Sequence, residues 1–416
     1  MTEQQLHLVP PPAAPRSRSR ISTAFATRFG GMSRPFWVIF SGTIANRMGD
    51  MVVPFLVFYL GSRGISAEAT GSIVVALGLG GPIGSVLGGW LADRVGRRFV
   101  LLTGLIATPA SLGALFAAPN LPTLAFAAAL VGMCNRLYPP AAAALIADSV
   151  TPTQRARAFS LLHWAVNIGT AASAATAGFL AARGYWLLFV LDAATCLIYA
   201  MFVARGIPKK APDQRTRTNG GGYRVVLQDR VMMAFVAMTA LAAIVYSMTQ
   251  FAIPLAIRLD GLPPTVFGLV GIVNTVLVIA LQPVLYGMIT RFDRVRVLAT
   301  SWALVAVGVA STGLAHEPWQ YALTVVIWTI GEIGNGVVAG GIVADLAPAA
   351  MRGRYQGMIS WAKTMAGLVG PALSTTLLSV VGPEAIWLTC LVAGLSGAVA
   401  VLALIPALVA RATTVP

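Results

Sequence analysis

The sequence is poor in charge, cysteine and histidine. Only 10% of its 416 residues are charged, against about 25% in an ordinary soluble domain. With 57% of residues hydrophobic, a soluble or disordered chain is excluded, because too little polar surface exists to cover the apolar part. The three cysteines, Cys134, Cys196 and Cys390, all fall inside apolar runs. Their spacing fits neither zinc ligands nor a disulfide framework. His7, His163 and His316 are scattered and suggest no metal cluster. The sequence holds no G-x-x-x-x-G-K-[ST] phosphate loop and no nucleophile–base set, so neither an enzyme nor an ATP-driven machine is expected, and no cofactor is implied. No apolar core precedes Phe36. Residues 1–35 carry Pro10, Pro11, Pro12, Pro15 and five arginines, which reads as a cytoplasmic tail and not as a cleaved signal.

Apolar runs are what the chain has in abundance. They fall at about 36–60, 69–92, 99–118, 123–147, 156–181 and 184–204, then at about 231–257, 264–289, 296–315, 319–344, 355–380 and 384–410. Each is long enough to cross about 30 Å of hydrocarbon as a helix. The pattern is that of an all-α integral membrane protein with twelve transmembrane helices. Barrel strands would alternate over about 10 residues instead. Residues 205–230 are the one long polar interruption and read as a linker between six helices and six, leaving 411–416 as a second cytoplasmic tail.

The formal net charge is +15. In a soluble protein that would suggest nucleic acid. Here the basic residues lie between apolar runs, so topology explains them and no nucleic-acid partner is expected. Of 29 Lys and Arg, 23 fall in alternate loops and tails, three (Arg63, Arg183, Arg258) in the others, and three (Arg47, Arg136, Lys363) within spans. The positive-inside rule then places both termini in the cytoplasm, in a plasma or inner membrane.

The halves repeat. At an offset of 197, residues 146–165 align with 343–362, matching Asp148 with Asp345, Arg155 with Arg352, Arg157 with Arg354 and Trp164 with Trp361. Residues 89–98 lie opposite 287–296 at an offset of 198. Duplicated bundles are a mark of many secondary transporters, with ligand bound between them near the bilayer midplane.

The segment Gly89-Trp90-Leu91-Ala92-Asp93-Arg94-Val95-Gly96-Arg97-Arg98 resembles the signature between the second and third helices of the major facilitator superfamily. Trp328 to Glu332, Ala344 to Pro348 and Arg352 to Gly357 are similar to its twelve-helix drug–proton antiporter branch. The fifth helix departs from that branch, with Ser173-Ala174 where a Gly-Pro pair is usual. The resemblance implies two pseudo-symmetric six-helix bundles, at 36–204 and 231–410, that rock about a central cavity. It also implies that Gly89, Asp93, Arg94, Gly96, Arg97 and Arg98 form a gate, Asp93 helping to latch one end.

Charge in mid-membrane costs several kcal/mol and marks function by default. Asp50, Arg136 and Glu332 each lie about 13 or 14 residues into their runs, near the bilayer centre. Asp50 and Glu332 are the expected proton carriers. Arg47, one turn from Asp50, is placed to pair with it. Asn46, Arg47, Asn135, Arg136, Tyr138, Tyr246, Gln250 and Asn335 are the candidate cavity groups; static helix ties are the competing reading for each. Asp192 and Lys363 are expected to be structural pairs. The function implied is proton-coupled efflux of small hydrophobic or cationic compounds by a monomer in a lipid bilayer. The alternatives are a metabolite carrier or lipid flippase of the same fold and, remotely, a sensor or scaffold without flux.

Overall fold

A computed structural model describes residues 31–209, 222–263 and 265–407. The expected tails and most of the linker lie outside the described residues. Among those described, the regular structure is helical: α1 (Arg34–Gly49), α2 (Val52–Ser62), α3 (Ala67–Arg94), α4 (Arg97–Ala117), α5 (Leu121–Ser149), α6 (Arg155–Ala181), α7 (Tyr185–Gly206), α8 (Gly222–Gln228), α9 (Arg230–Leu259), α10 (Thr265–Ile289), α11 (Arg294–Ser311), α12 (Pro318–Leu346), α13 (Arg352–Val380) and α14 (Pro383–Ala403). Nine of the described helices, α3, α4, α5, α7, α9, α10, α11, α12 and α14, are long and apolar enough to cross a membrane. Helices α6 and α13 are as long but carry more polar residues, which the interface between the chain's halves uses.

Helix starts follow local chemistry. The Ser33, Ser66 and Asp293 side chains accept from backbone N–H groups of the first turn, and Asn120 and Thr123 form a reciprocal capping box. Only Val95 and Gly96 separate α3 from α4. Gly96 makes that turn with φ +101°, a conformation other residues rarely adopt.

The first apolar run departs from expectation. The single helix expected over 36–60 is two helices broken at Asp50 and Met51. Pro54 supplies the reason: it has no N–H for the Asp50 carbonyl, and its ring displaces that carbonyl. The freed carbonyl accepts from Ser173 Oγ at 3.3 Å, so the serine that replaces the usual glycine stands at the break. On the other side of the break, the Val52 N–H donates to Asp192 Oδ2 at 3.4 Å. Asp192, only 2% exposed, caps the N-terminus of α2 from α7. The expectation for it was a structural pair; the partner found is backbone and not a basic side chain.

Close helix crossings position the rest. Gly80, Gly84 and Gly88 on α3 face the backbone of Ala129, Met133 and Leu137 on α5, with no room for a Cβ. This is the small-residue stripe by which membrane helices approach. Two apolar clusters draw almost wholly on residues 32–207 and two on residues 223–405.

Candidate functional site

Three polar constellations emerge. The first ties the halves together at the end that carries the 89–98 and 146–157 segments. Asp93, at the end of α3, accepts from the backbone N–H groups of Gly353 and Arg354 at 2.9 and 2.8 Å. These are the first amides of α13, where unsatisfied donors and the helix dipole favour a carboxylate. The approach depends on Gly89 and Gly353: a Cβ on Gly353 would stand 2.6 Å from Gly89 O and from Asp93 Oδ1. Tyr223, from α8, closes over this crossing and donates to Val86 O at 2.7 Å. Burial pushes the Tyr223 hydroxyl well above its ordinary value, so it remains a donor at physiological pH.

Beside this contact stand two related ion-pair sets. Asp148 pairs with Arg97 of its own half and with Arg352 of the other. Asp345 pairs with Arg294 of its own half, at 2.6 Å, and with Arg155 of the other. Arg97 and Arg294 therefore play one role at an offset of 197, one residue from the alignment that Gly89 and Gly287 suggest. The remaining expected gate residues are peripheral to this contact. Arg94 lies over the Trp90 ring at 5.0 Å, and Arg98 donates to Ala204 O at 2.9 Å.

The second constellation is a cavity of about 260 Å³. Arg47, Asp50, Asn135, Arg136, Tyr138, Lys363 and Thr364 line it, with glycines of α3, α5 and α13. Arg47 Nη1 and Asp50 Oδ2 form the expected i, i+3 pair at 2.7 Å, both partly water-accessible. The helix break holds Asp50 here, since its backbone is turned out of α1 at ψ +69°. Sequence reasoning placed Lys363 among peripheral structural pairs. The structure corrects this: Lys363 faces the cavity and has no ion-pair partner among the described residues. It sits on α13, whose small residues bring it against α3. Asn46 stands behind the wall, accepting from Tyr138 Oη at 2.6 Å and donating to Cys196 Sγ at 3.1 Å, so it orients Tyr138 and does not face the space.

The third constellation holds Glu332, which the structure separates from Asp50 and the cavity. Asn274 donates to Glu332 Oε2 at 2.8 Å and Tyr246 Oη to Oε1 at 3.4 Å. His163, from the other half, brings Nε2 to 3.7 Å of Oε1. The same imidazole meets Gln282 Oε1 through Nδ1 at 3.0 Å, and Trp164 Nε1 donates to Ile279 O at 3.0 Å. Sequence reasoning had dismissed His163 as one of three scattered histidines. Its nearness to Trp164, singled out by the repeat, was the available signal. Asn335 accepts from Trp302 Nε1 at 3.1 Å and is a helix tie. The side chain of Gln250 lies outside the described residues. A larger apolar cleft of about 600 Å³ lies between α3 and α13, but no charged group lines it.

Known proteins resemble this chain in sequence and in fold. The family model described as Major Facilitator Superfamily matches residues 39–260 and 235–415. An uncharacterized MFS-type transporter of Bacillus subtilis, YqjV, is 26% identical over 345 residues, spanning 80% of this chain and 84% of its own. A Na(+), Li(+), K(+)/H(+) antiporter of Planococcus maritimus is 25% identical over 357 residues, or 77% and 84% of the two chains. The multidrug resistance protein MdtH of Klebsiella pneumoniae is 26% identical over 289 residues, or 69% and 72%. Among solved structures, a bacterial homologue of the iron transporter ferroportin in an outward-facing state superposes with a TM-score of 0.74 at 16% identity, covering 89% of this chain and 99% of that one.

Proposed function

The chain belongs to the major facilitator superfamily, a family of membrane transporters and not of enzymes, and on that premise we propose that it is a proton-coupled secondary transporter that exports small organic compounds by alternating access. Helices α1 and α2 together count as one span. With α3 to α7 they make six, and α9 to α14 make six more, so that two bundles at 36–204 and 231–410 are joined by the linker 205–230. The arginine-rich end is the cytoplasmic face, by the excess of Arg and Lys in its loops.

The observation that carries this reading is the Arg47–Asp50 pair in a cavity, at a helix break, with cross-half ion pairs below it. A carboxylate there can exchange a proton when access changes, and its arginine partner makes that exchange sensitive to what else occupies the cavity. Glu332 is the second candidate, because His163 bridges it to the opposite half and rocking would separate the two. Efflux is supported by the drug-resistance name of one relative and by the antiporter name of another. A metabolite carrier of the same fold is the second reading, favoured by the charge density of so small a cavity.

The test is transport by purified protein in liposomes under an imposed pH gradient. Asp50→Asn abolishes gradient-driven flux while leaving substrate exchange without a gradient intact. Full coupling in that variant transfers the role to Glu332, tested likewise with Glu332→Gln. Full coupling in both variants ends the carboxylate mechanism.

A further inference from the structure

The cavity's charge does not balance. Arg47, Arg136 and Lys363 line it, against Asp50 as the carboxylate of the lining. Asp50 is engaged with Arg47 at 2.7 Å. Arg136 and Lys363 have neither hydrogen bond nor ion pair among the described residues. Both side chains are exposed to that space from mid-span positions of α5 and α13. A basic side chain at mid-span is costly unless it faces water or a partner, and it marks function by default. Two such cations share one small space without an ion pair of their own, and Arg136 has the Arg47–Asp50 pair as its charged neighbour, so the space favours a counter-ion from outside the chain. The three cations of the spans are thereby gathered in one place.

We propose that the cavity's substrate is a small organic anion, its negative group held between Arg136 of α5 and Lys363 of α13. This deepens the transporter reading and rests on it for the identity of the cavity as the substrate site. The geometry gives the anion a further role. Arg136 belongs to the first half of the chain and Lys363 to the second, so one anionic group in contact with both draws the halves together around itself. The apolar remainder of the molecule meets Val53, Leu77 and Leu368. A cationic substrate fits poorly, because it adds a fourth positive charge to a space whose carboxylate is already taken.

The experiment uses three probes with one aromatic body and fixed charge: naphthalene-2-sulfonate, naphthalene-2-sulfonamide and trimethyl(2-naphthyl)ammonium. Calorimetry on the purified full-length protein gives their dissociation constants. The sulfonate binds about tenfold or more tighter than the sulfonamide, the difference expected of one charge-assisted contact, and the ammonium binds weakest. Arg136→Gln and Lys363→Gln each remove most of the sulfonate's advantage, and Lys363→Arg keeps it. Should one Gln variant fail to fold, the other reads the same quantity. A sulfonate no tighter than the sulfonamide overturns the proposal, as does an advantage that survives both substitutions. The transporter reading fails separately: it fails if sulfonate binds as described but no pH gradient moves it across liposomes in either direction.

Discussion

Replacing Asp93 with asparagine tests the latch at its narrowest point. The carboxylate is almost wholly buried and accepts two backbone amides of the opposite half, at 2.9 and 2.8 Å. Asparagine keeps one acceptor oxygen and turns its NH2 toward the second amide. One charge-assisted hydrogen bond is lost, worth about 1.5–3 kcal/mol, together with about 0.3–1 kcal/mol from the charge at the start of α13. The buried carboxylate is itself harder to desolvate than the amide, which offsets part of this. A net weakening of about 2 kcal/mol remains. The carboxylate's stronger hydration in the open state is already counted in that offset, so the net difference acts as a loss from the closed state. At about 1.4 kcal/mol per factor of ten, the ratio of open to closed should rise roughly 30-fold.

Spin labels at Val95 and Phe292 read that ratio. Both positions are exposed, at 40% and 63%, and each lies in a short turn of a different half, so their separation reports opening at this end. Pulsed electron spin resonance should find a short distance dominant in the parent and a long one growing in Asp93→Asn. An unchanged distance distribution would refute the claim that these two hydrogen bonds hold the end shut.

Three further outcomes follow from the same geometry. Asp148→Asn and Asp345→Asn should move that distribution by equal amounts, within about a factor of two, because each acid holds one arginine of either half; strongly unequal shifts would show that the repeat's symmetry is not energetic. Tyr223→Phe should weaken the closed state by about 1 kcal/mol, one neutral hydrogen bond, and equally at mildly acid and mildly alkaline pH, since burial keeps the hydroxyl protonated. Asp192→Ala should lower stability by about 1–3 kcal/mol by stranding the Val52 amide, seen as a lower melting temperature in detergent, with Asp192→Asn milder because it still accepts.

Local features were legible in the sequence and lateral ones were not. The helices, the 197-residue repeat and the tight turn at Gly96 announce themselves through run length, identity and glycine. The Arg47–Asp50 pair is legible because three residues along a helix fix it. The break that exposes it is half legible: Pro54 marks the strain, but only Asp192, 140 residues away, decides that the chain can stop and restart there. His163 and Gln282 meet across 119 residues, and Lys363 reaches a cavity that sequence reasoning assigned to other helices. In a soluble helix an apolar stripe would have said which face turns inward. Here lipid and core are both apolar, that stripe is absent, and the facing of a lone polar residue is settled by which helices cross.

The duplication accounts for the paired form of these contacts. When two copies of one segment meet, a contact from residue i of the first to residue j of the second implies the converse contact, as at the two-fold interface of a dimer. Asp148 to Arg352 and Asp345 to Arg155 are that reciprocal pair, and Arg97 and Arg294 supply the same support to each acid. A small rotation about the pseudo-axis lengthens both sets together, so they strengthen and fail together. Asp93 breaks this symmetry. The position 197 residues on is Thr290, whose hydroxyl, among the described residues, donates to Tyr286 O of the preceding helix. One symmetric network therefore sets the closed geometry, while a single asymmetric carboxylate tightens it. The far end is built differently: there Asp260 meets His316 and Tyr321 within one half. Among the described residues that end has no reciprocal charge set of this kind.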